Sequence, residues 1–214
     1  MMIEAILWDF GGVLTTSPFD AFNRYEAEQG IPRNFIRGIN ATNPEHNAWA
    51  RLESSAITLA QFDAEFEAES RAAGHAIAGG AVIELLSGDL RPRMVEVLIA
   101  CKARFKVACL TNNVKAGEGP GMARSSERAA SIARVMAEFD LVLESSKEGI
   151  RKPNPAFYLR ACERLRIKPT QAVFLDDLGI NLKPAKELGM TTIKVTTQEQ
   201  AIAELSDVLK LDFS

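Results

Sequence analysis

Apolar residues along this chain follow two rhythms: short, nearly continuous runs, and positions spaced three or four apart. The first run, Ile3-Glu4-Ala5-Ile6-Leu7-Trp8, stops abruptly at Asp9, and Gly11 and Gly12 follow. Similar runs occupy 105–110, 140–144, 172–175 and 192–195. Runs of this kind predict strands buried on both faces, as in a parallel sheet. Helical spacing fills the stretches between them. Ser17-Pro18-Phe19-Asp20 reads as a capped helix start, and Phe19, Phe22 and Tyr25 share its face until Gly30. Pro32 opens a short helix, 44–53 suits another, and Thr58-Leu59-Ala60-Gln61 is a capping box ahead of Phe62 and Phe66. A further helix is predicted over 81–86. No strand is predicted between residues 17 and 88.

From residue 90 onward helices and strands alternate. Helices are predicted over 91–103, 125–137, 155–166 and 182–188, with one closing the chain. A glycine-rich loop containing Gly117, Gly119, Pro120 and Gly121 lies between the second strand and the next helix. Alternation of this kind predicts an α/β fold, a doubly wound parallel sheet, with a helical unit inserted directly after the first strand. Residues 1–16 and 90–214 would form the α/β domain and 17–89 the insertion.

Composition narrows the function. The chain has 214 residues, a net charge of −3 and 47% hydrophobic content. That balance gives no electrostatic footprint for nucleic acid or an anionic membrane. No apolar run approaches the ~20 residues of a membrane span, and the N-terminus lacks the pattern of a secretory signal. Cys101, Cys109 and Cys162 are odd in number and form no CxxC pair, which reads as buried thiols in a reducing cytoplasm. His46 and His75 are the only histidines, too few for a histidine-built metal centre.

Three strands end in polar residues that strand stability does not require: Asp9, Thr111 with Asn112, and Asp176 with Asp177. Parallel strands bring such ends to one edge of the sheet. Converging carboxylates repel one another unless a cation sits between them, and an all-oxygen donor set favours a hard ion such as Mg²⁺. Lys152, in Ile150-Arg151-Lys152-Pro153-Asn154-Pro155, supplies a further positive charge, with Arg151 and Lys147 as rivals on charge alone.

In their order and spacing, these pieces resemble the motifs of the haloacid dehalogenase-like (HAD) hydrolase superfamily. Asp9 stands at motif I, Thr111 at motif II, Lys152 at motif III and Asp176-Asp177 at motif IV. The insertion is similar to the helical cap of many members, and 173–185 resembles the phosphatase domain of soluble epoxide hydrolase. The resemblance implies an aspartyl-phosphate formed on Asp9. It implies Mg²⁺ held by Asp9, the backbone carbonyl of Gly11 and Asp177, with Asp176 acting directly or through water. Thr111 and Asn112 would hold phosphoryl oxygens, and Lys152 would stabilise Asp9 and developing charge. The implied partner is a small phosphorylated substrate, turned over by a monomer or homodimer.

Gly11 departs from this pattern. Phosphatases of the superfamily carry there a second Asp that protonates the leaving group and then activates water. General acid–base catalysis is typically worth ~10²–10⁴-fold. Three outcomes follow: a phosphatase suited to good leaving groups, a phospho-ligand binding protein, or a dehalogenase-type enzyme in which Asp9 attacks carbon. His46 is a conceivable replacement acid. Phe19, Phe22, Trp49, Arg51 and Phe62 are candidates to line the inner face of the cap and select the substrate. Segments 15–17 and 88–91 are candidate hinges.

Overall fold

A computed structural model describes residues 2–114 and 125–213; the glycine-rich loop lies outside them. The strands are β1 (Ala5–Trp8), β2 (Lys106–Thr111), β3 (Leu141–Glu144), β4 (Ala172–Asp176) and β5 (Thr191–Lys194). They form one parallel sheet in the order β3-β2-β1-β4-β5. β1 is central, so the carboxyl ends of β1, β2 and β4 are neighbours. The register pairs Trp8 with Cys109 on one side and with Leu175 on the other.

Both faces of the sheet are covered, which explains the nearly continuous apolar runs. Ile6, Trp8, Val107, Cys109, Val173 and Leu175 face α6 (Pro92–Lys102), α7 (Ser126–Met136) and α11 (Gln198–Leu209). Ala5, Leu7, Ala108, Leu110 and Phe174 face α9 (Pro155–Leu165) and α10 (Gly179–Glu187). Period-two alternation therefore feeds two cores rather than one core and solvent.

Between β1 and α6 the chain forms α1 (Pro18–Glu28), α2 (Phe35–Ala41), α3 (Ala48–Glu53), α4 (Leu59–Ala72) and α5 (Gly79–Glu84). Phe22, Ile36, Leu52, Ile57, Phe62, Phe66, Ile77 and Val82 build a third apolar cluster there. Several helix starts differ from the sequence expectation. α2 begins at Phe35 rather than Pro32, because Asn34 adopts a left-handed conformation (φ 65°) and buried Glu26 accepts the Asn34 and Ile36 N–H groups. α3 begins at Ala48 rather than near Pro44, because the Asn47 side chain caps it through Ala50 N–H. α5 runs two residues earlier than expected. α10 starts at Gly179, not Leu182, and contains Pro184. A short α8 (Ser145–Glu148), not foreseen, follows β3 directly.

The chain enters and leaves the helical region along adjacent paths. Thr15 and Leu90 form an antiparallel bridge. Thr16 N–H donates to Asp89 O at 2.8 Å, and Arg91 N–H to Leu14 O at 2.9 Å. A Cβ on Gly88 would meet Thr16 O at 2.3 Å, so only glycine allows this approach.

Candidate active site

Strand geometry delivers the polar ends to one place. Asp9 follows β1 directly, with its N–H bonded to Leu175 O at 2.9 Å. Its Oδ1 accepts the Phe10 N–H at 2.7 Å and the Lys152 ammonium at 2.8 Å. That ammonium also reaches Asp176 Oδ2 at 2.7 Å. Lys152 and Asp176 are fully buried, so the pair could persist only with its charges matched. Asp176 accepts further bonds from Leu178 N–H at 2.8 Å and from the Asn181 amide at 3.0 and 3.1 Å. Both of its oxygens therefore point at protein donors. Asp177 is less buried, and its Oδ2 accepts the Ser17 hydroxyl at 3.5 Å.

Asp9, Asp176 and Asp177 each offer an oxygen within 4.8 Å of the others. With Lys152 alone among them, the buried group carries an excess of negative charge. Burial raises the Asp9 pKa well above the usual range, against the pull of Lys152 and with help from Asp176 and Asp177. Burial, then Asp176, pushes Asp177 up to about 6. Burial alone would lower the pKa of Lys152, but Asp176 and Asp9 outweigh it and hold the ammonium firmly protonated. An oxygen-only cluster with uncompensated charge fits a hard divalent cation.

Gly12 makes the approach to this cluster possible. Its φ is +77°, and a Cβ there would lie 2.3 Å from Asp177 Oδ2. Gly11 is different, since no heavy atom lies within 4 Å of where its Cβ would be. Thr111 is buried at the end of β2. The Asn112 side chain clasps the Lys152 backbone, accepting its N–H at 2.9 Å and donating to its carbonyl at 3.0 Å.

A cavity of about 650 Å³ opens over Asp9, Gly11, Thr111, Asn112, Lys152 and Asp177. Phe19, Phe22 and Trp49 line its far wall. The other expected wall residues do not. Arg51 points away, paired with Glu65 at 2.6 Å, and Phe62 is fully buried among the helices against Trp49 and Phe66. His46 is exposed and outside the lining. The sequence reading did not single out Glu53 or Arg37, which line the cavity, and it left Arg151 only as a rival to Lys152. Arg37 lies 4.1 Å from the Phe19 ring centre. Asn181 also went unforeseen; its place on the first turn of α10, after the acidic pair, is the signal that could have found it.

Comparison with known proteins identifies the family of the chain. The chain is 30% identical to mouse bifunctional epoxide hydrolase 2 over 100% of its own residues and 40% of the relative's. It spans less than half the length of the mammalian relatives it matches. A phosphatase of Mycobacterium tuberculosis is 27% identical over 97% of this chain and 96% of its own length. Among solved structures, a HAD family enzyme of Bacteroides thetaiotaomicron, in complex with magnesium and inorganic phosphate, shares the fold. Its TM-score is 0.58 at 20% identity, over 90% of this chain and 93% of that one. The family model for haloacid dehalogenase-like hydrolases matches residues 3–189. This chain belongs to the haloacid dehalogenase-like hydrolase family.

Proposed function

We propose that this chain is a Mg²⁺-dependent phosphatase of a small phosphorylated metabolite, acting through an aspartyl-phosphate on Asp9. The observation that carries the reading is the buried Lys152 ammonium, bonded at once to Asp9 and Asp176 beside Asp177. A carboxylate held this way keeps one oxygen directed by the protein while the other can attack phosphorus in line. Asp9, Asp177 and the Gly11 carbonyl would hold the ion, with Asp176 supporting the set through Lys152. The ion supplies charge neutralisation between nucleophile and phosphoryl oxygens.

The remaining roles belong to the chain itself. Thr111 Oγ1 and the Asn112 N–H hold phosphoryl oxygens, and Lys152 offsets the charge that develops on them. Residues 17–89 act as a cap over a core of residues 1–16 and 90–214, excluding water when closed. Phe19, Phe22 and Trp49 select the body of the substrate. The buried free thiols of Cys101, Cys109 and Cys162 suit a cytoplasmic setting.

The test is phosphate release from an aryl or acyl phosphate, with and without Mg²⁺. The reading expects Mg²⁺-dependent release that Asp9→Asn abolishes. Gly11 favours one second reading, a protein that binds a phosphorylated ligand without turning it over. Binding of Mg²⁺ and a phosphate analogue with no release across a broad ester panel would select it. Metal-independent halide release from a haloacid would instead select carbon attack, against which the retained acidic pair 176–177 argues.

A further inference from the structure

The cavity over Asp9 lacks one carboxyl and contains another without an assigned task. Gly11 offers no proton, and open space surrounds the position its Cβ would take. Among the described residues lining the cavity, the carboxyl groups are those of Asp9, Asp177 and Glu53, and no histidine, cysteine or tyrosine lines it. Asp9 is committed as nucleophile and Asp177 to the cation. Glu53 remains.

Glu53 ends α3 and is buried, yet it reaches across to the sheet side of the site. Its Oε2 accepts Arg151 Nε at 3.0 Å and Asn112 Nδ2 at 3.3 Å. Asn112 is the residue whose side chain clasps the Lys152 backbone, and the Lys152 ammonium touches Asp9. A carboxyl from the helical insertion is thus anchored one residue away from the groups that hold the reacting phosphorus. Ser55, two residues further on, donates to Ser146 O at 2.8 Å and fastens the same corner.

We propose that Glu53 is the acid and base of the reaction, delivered by the cap in place of the carboxyl missing at residue 11. The proposal rests on the phosphatase reading above. In the first step an Asp9 oxygen bonds to phosphorus and the ester P–O bond breaks. The electron pair stays on the leaving oxygen, which takes the Glu53 proton. In the second step water bonds to phosphorus as Glu53 accepts its proton. The Asp9–phosphorus bond then breaks, which frees phosphate and restores both carboxyl groups to their starting states.

The surroundings support a proton-carrying role. Burial raises the pKa of Glu53 against the opposing pull of Arg151, Trp49, Lys152 and Asn112, the charged and polar groups that face it. An acid of this kind retains a proton at higher pH than an exposed glutamate does. Arg151 and Asn112 both bond Oε2, and Trp49 adds a further side-chain bond to the carboxyl. Because α3 belongs to the insertion, proton delivery would also depend on the cap being closed.

Leaving-group dependence separates a proton donor from a structural latch. The full chain with Mg²⁺ is assayed on p-nitrophenyl phosphate, whose leaving group needs little protonation, and on an alkyl phosphate, whose leaving group needs it. Glu53→Gln is expected to lower kcat/KM on the alkyl ester by ~10²–10⁴-fold, the usual range for a lost general acid, and far less on the aryl ester. Glu53→Asp, which keeps a carboxyl, should retain part of the alkyl-ester rate. Equal loss on both esters, or loss on neither, overturns the proposal and leaves the phosphatase reading intact. A second measurement needs no variant. In the wild-type chain the alkyl-to-aryl ratio of kcat/KM should fall as pH rises through the titration of the acid, and a flat ratio overturns the proposal. No phosphate release from either ester by the wild-type chain would remove the phosphatase reading and the proposal together.

Discussion

Lys152 Nζ stands 2.8 Å from Asp9 Oδ1 and 2.7 Å from Asp176 Oδ2, with no solvent exposure at the lysine or at Asp176. Removing the ammonium leaves those carboxylates facing each other in a buried site. Lys152→Met is therefore expected to destabilise the fold by about 3–5 kcal/mol, the range for breaking a buried ion pair from one side. Urea unfolding of the metal-free protein checks this. A loss below about 1 kcal/mol would show that the carboxylates simply take up protons in its absence.

The raised pKa of Asp177, about 6 against an ordinary 3.8, gives a pH dependence with a definite sign. The folded state holds this proton more tightly than the unfolded chain does. Stability from this group is therefore greatest at low pH and falls as pH rises from about 4 to about 6. Other acids contribute slopes of their own, so the measurable quantity is a difference. Subtracting the melting profile of Asp177→Asn from that of the wild-type chain, both free of metal, should leave a curve descending across this window. An ascending difference contradicts the assignment. Mg²⁺ affinity, followed by calorimetry, should weaken below about pH 6, because proton and cation compete for the same oxygen.

Gly12 and Gly11 are neighbours with opposite tolerances. Alanine at residue 12 places a Cβ 2.3 Å from Asp177 Oδ2 at a φ of +77°. The left-handed conformation costs roughly 1–2 kcal/mol for a residue with a side chain. The clash itself can be relieved by moving the Asp177 carboxylate, so metal affinity should suffer beyond the stability loss. Comparison of urea unfolding with Mg²⁺ titration of Gly12→Ala tests this. Wild-type affinity in the variant would mean that Asp177 is not a ligand.

Gly11→Asp meets no neighbour within 4 Å at its Cβ, and its backbone is outside the left-handed set. Packing leaves room for it, and its added charge beside Asp9 and Asp177 should make the fold more dependent on bound Mg²⁺. Placed together with Glu53→Gln, it should raise alkyl-phosphate turnover above that of Glu53→Gln alone. The gain is bounded by the ~10²–10⁴-fold worth of general acid catalysis. Steady-state assay of the two proteins side by side decides this.

The sheet and the strand-end residues could be read from the sequence because they obey local rules. β1, β2 and β4 are apolar on both faces, so their runs are unbroken, and each stops at a polar residue where the sheet ends. The wall of the cavity obeys no such rule. Arg51 and Glu53 lie two positions apart on the six-residue α3, and the periodicity of Trp49 and Leu52 leaves open which of them turns inward. Packing against α4 decides it, pairing Arg51 with Glu65 and sending Glu53 toward Asn112 and Arg151. The late starts of α2 and α3 have a similar cause. Pro32 and Pro44 suit a first helical turn, but Asn34 and Asn47 take the boundary positions.

The paired crossing at Thr15 and Leu90 makes the insertion's attachment a single narrow neck rather than two independent tethers. Arg91, at its base, donates through Nη1 to Gly12 O at 3.0 Å. Gly12 in turn presses against Asp177. A swing of the helices about this neck would thus tug on the loop that seats the cation. The mouth of the cavity and the grip on a bound metal would then be geared together, so that a substrate drawing the helical insertion down would also adjust the charge that receives it.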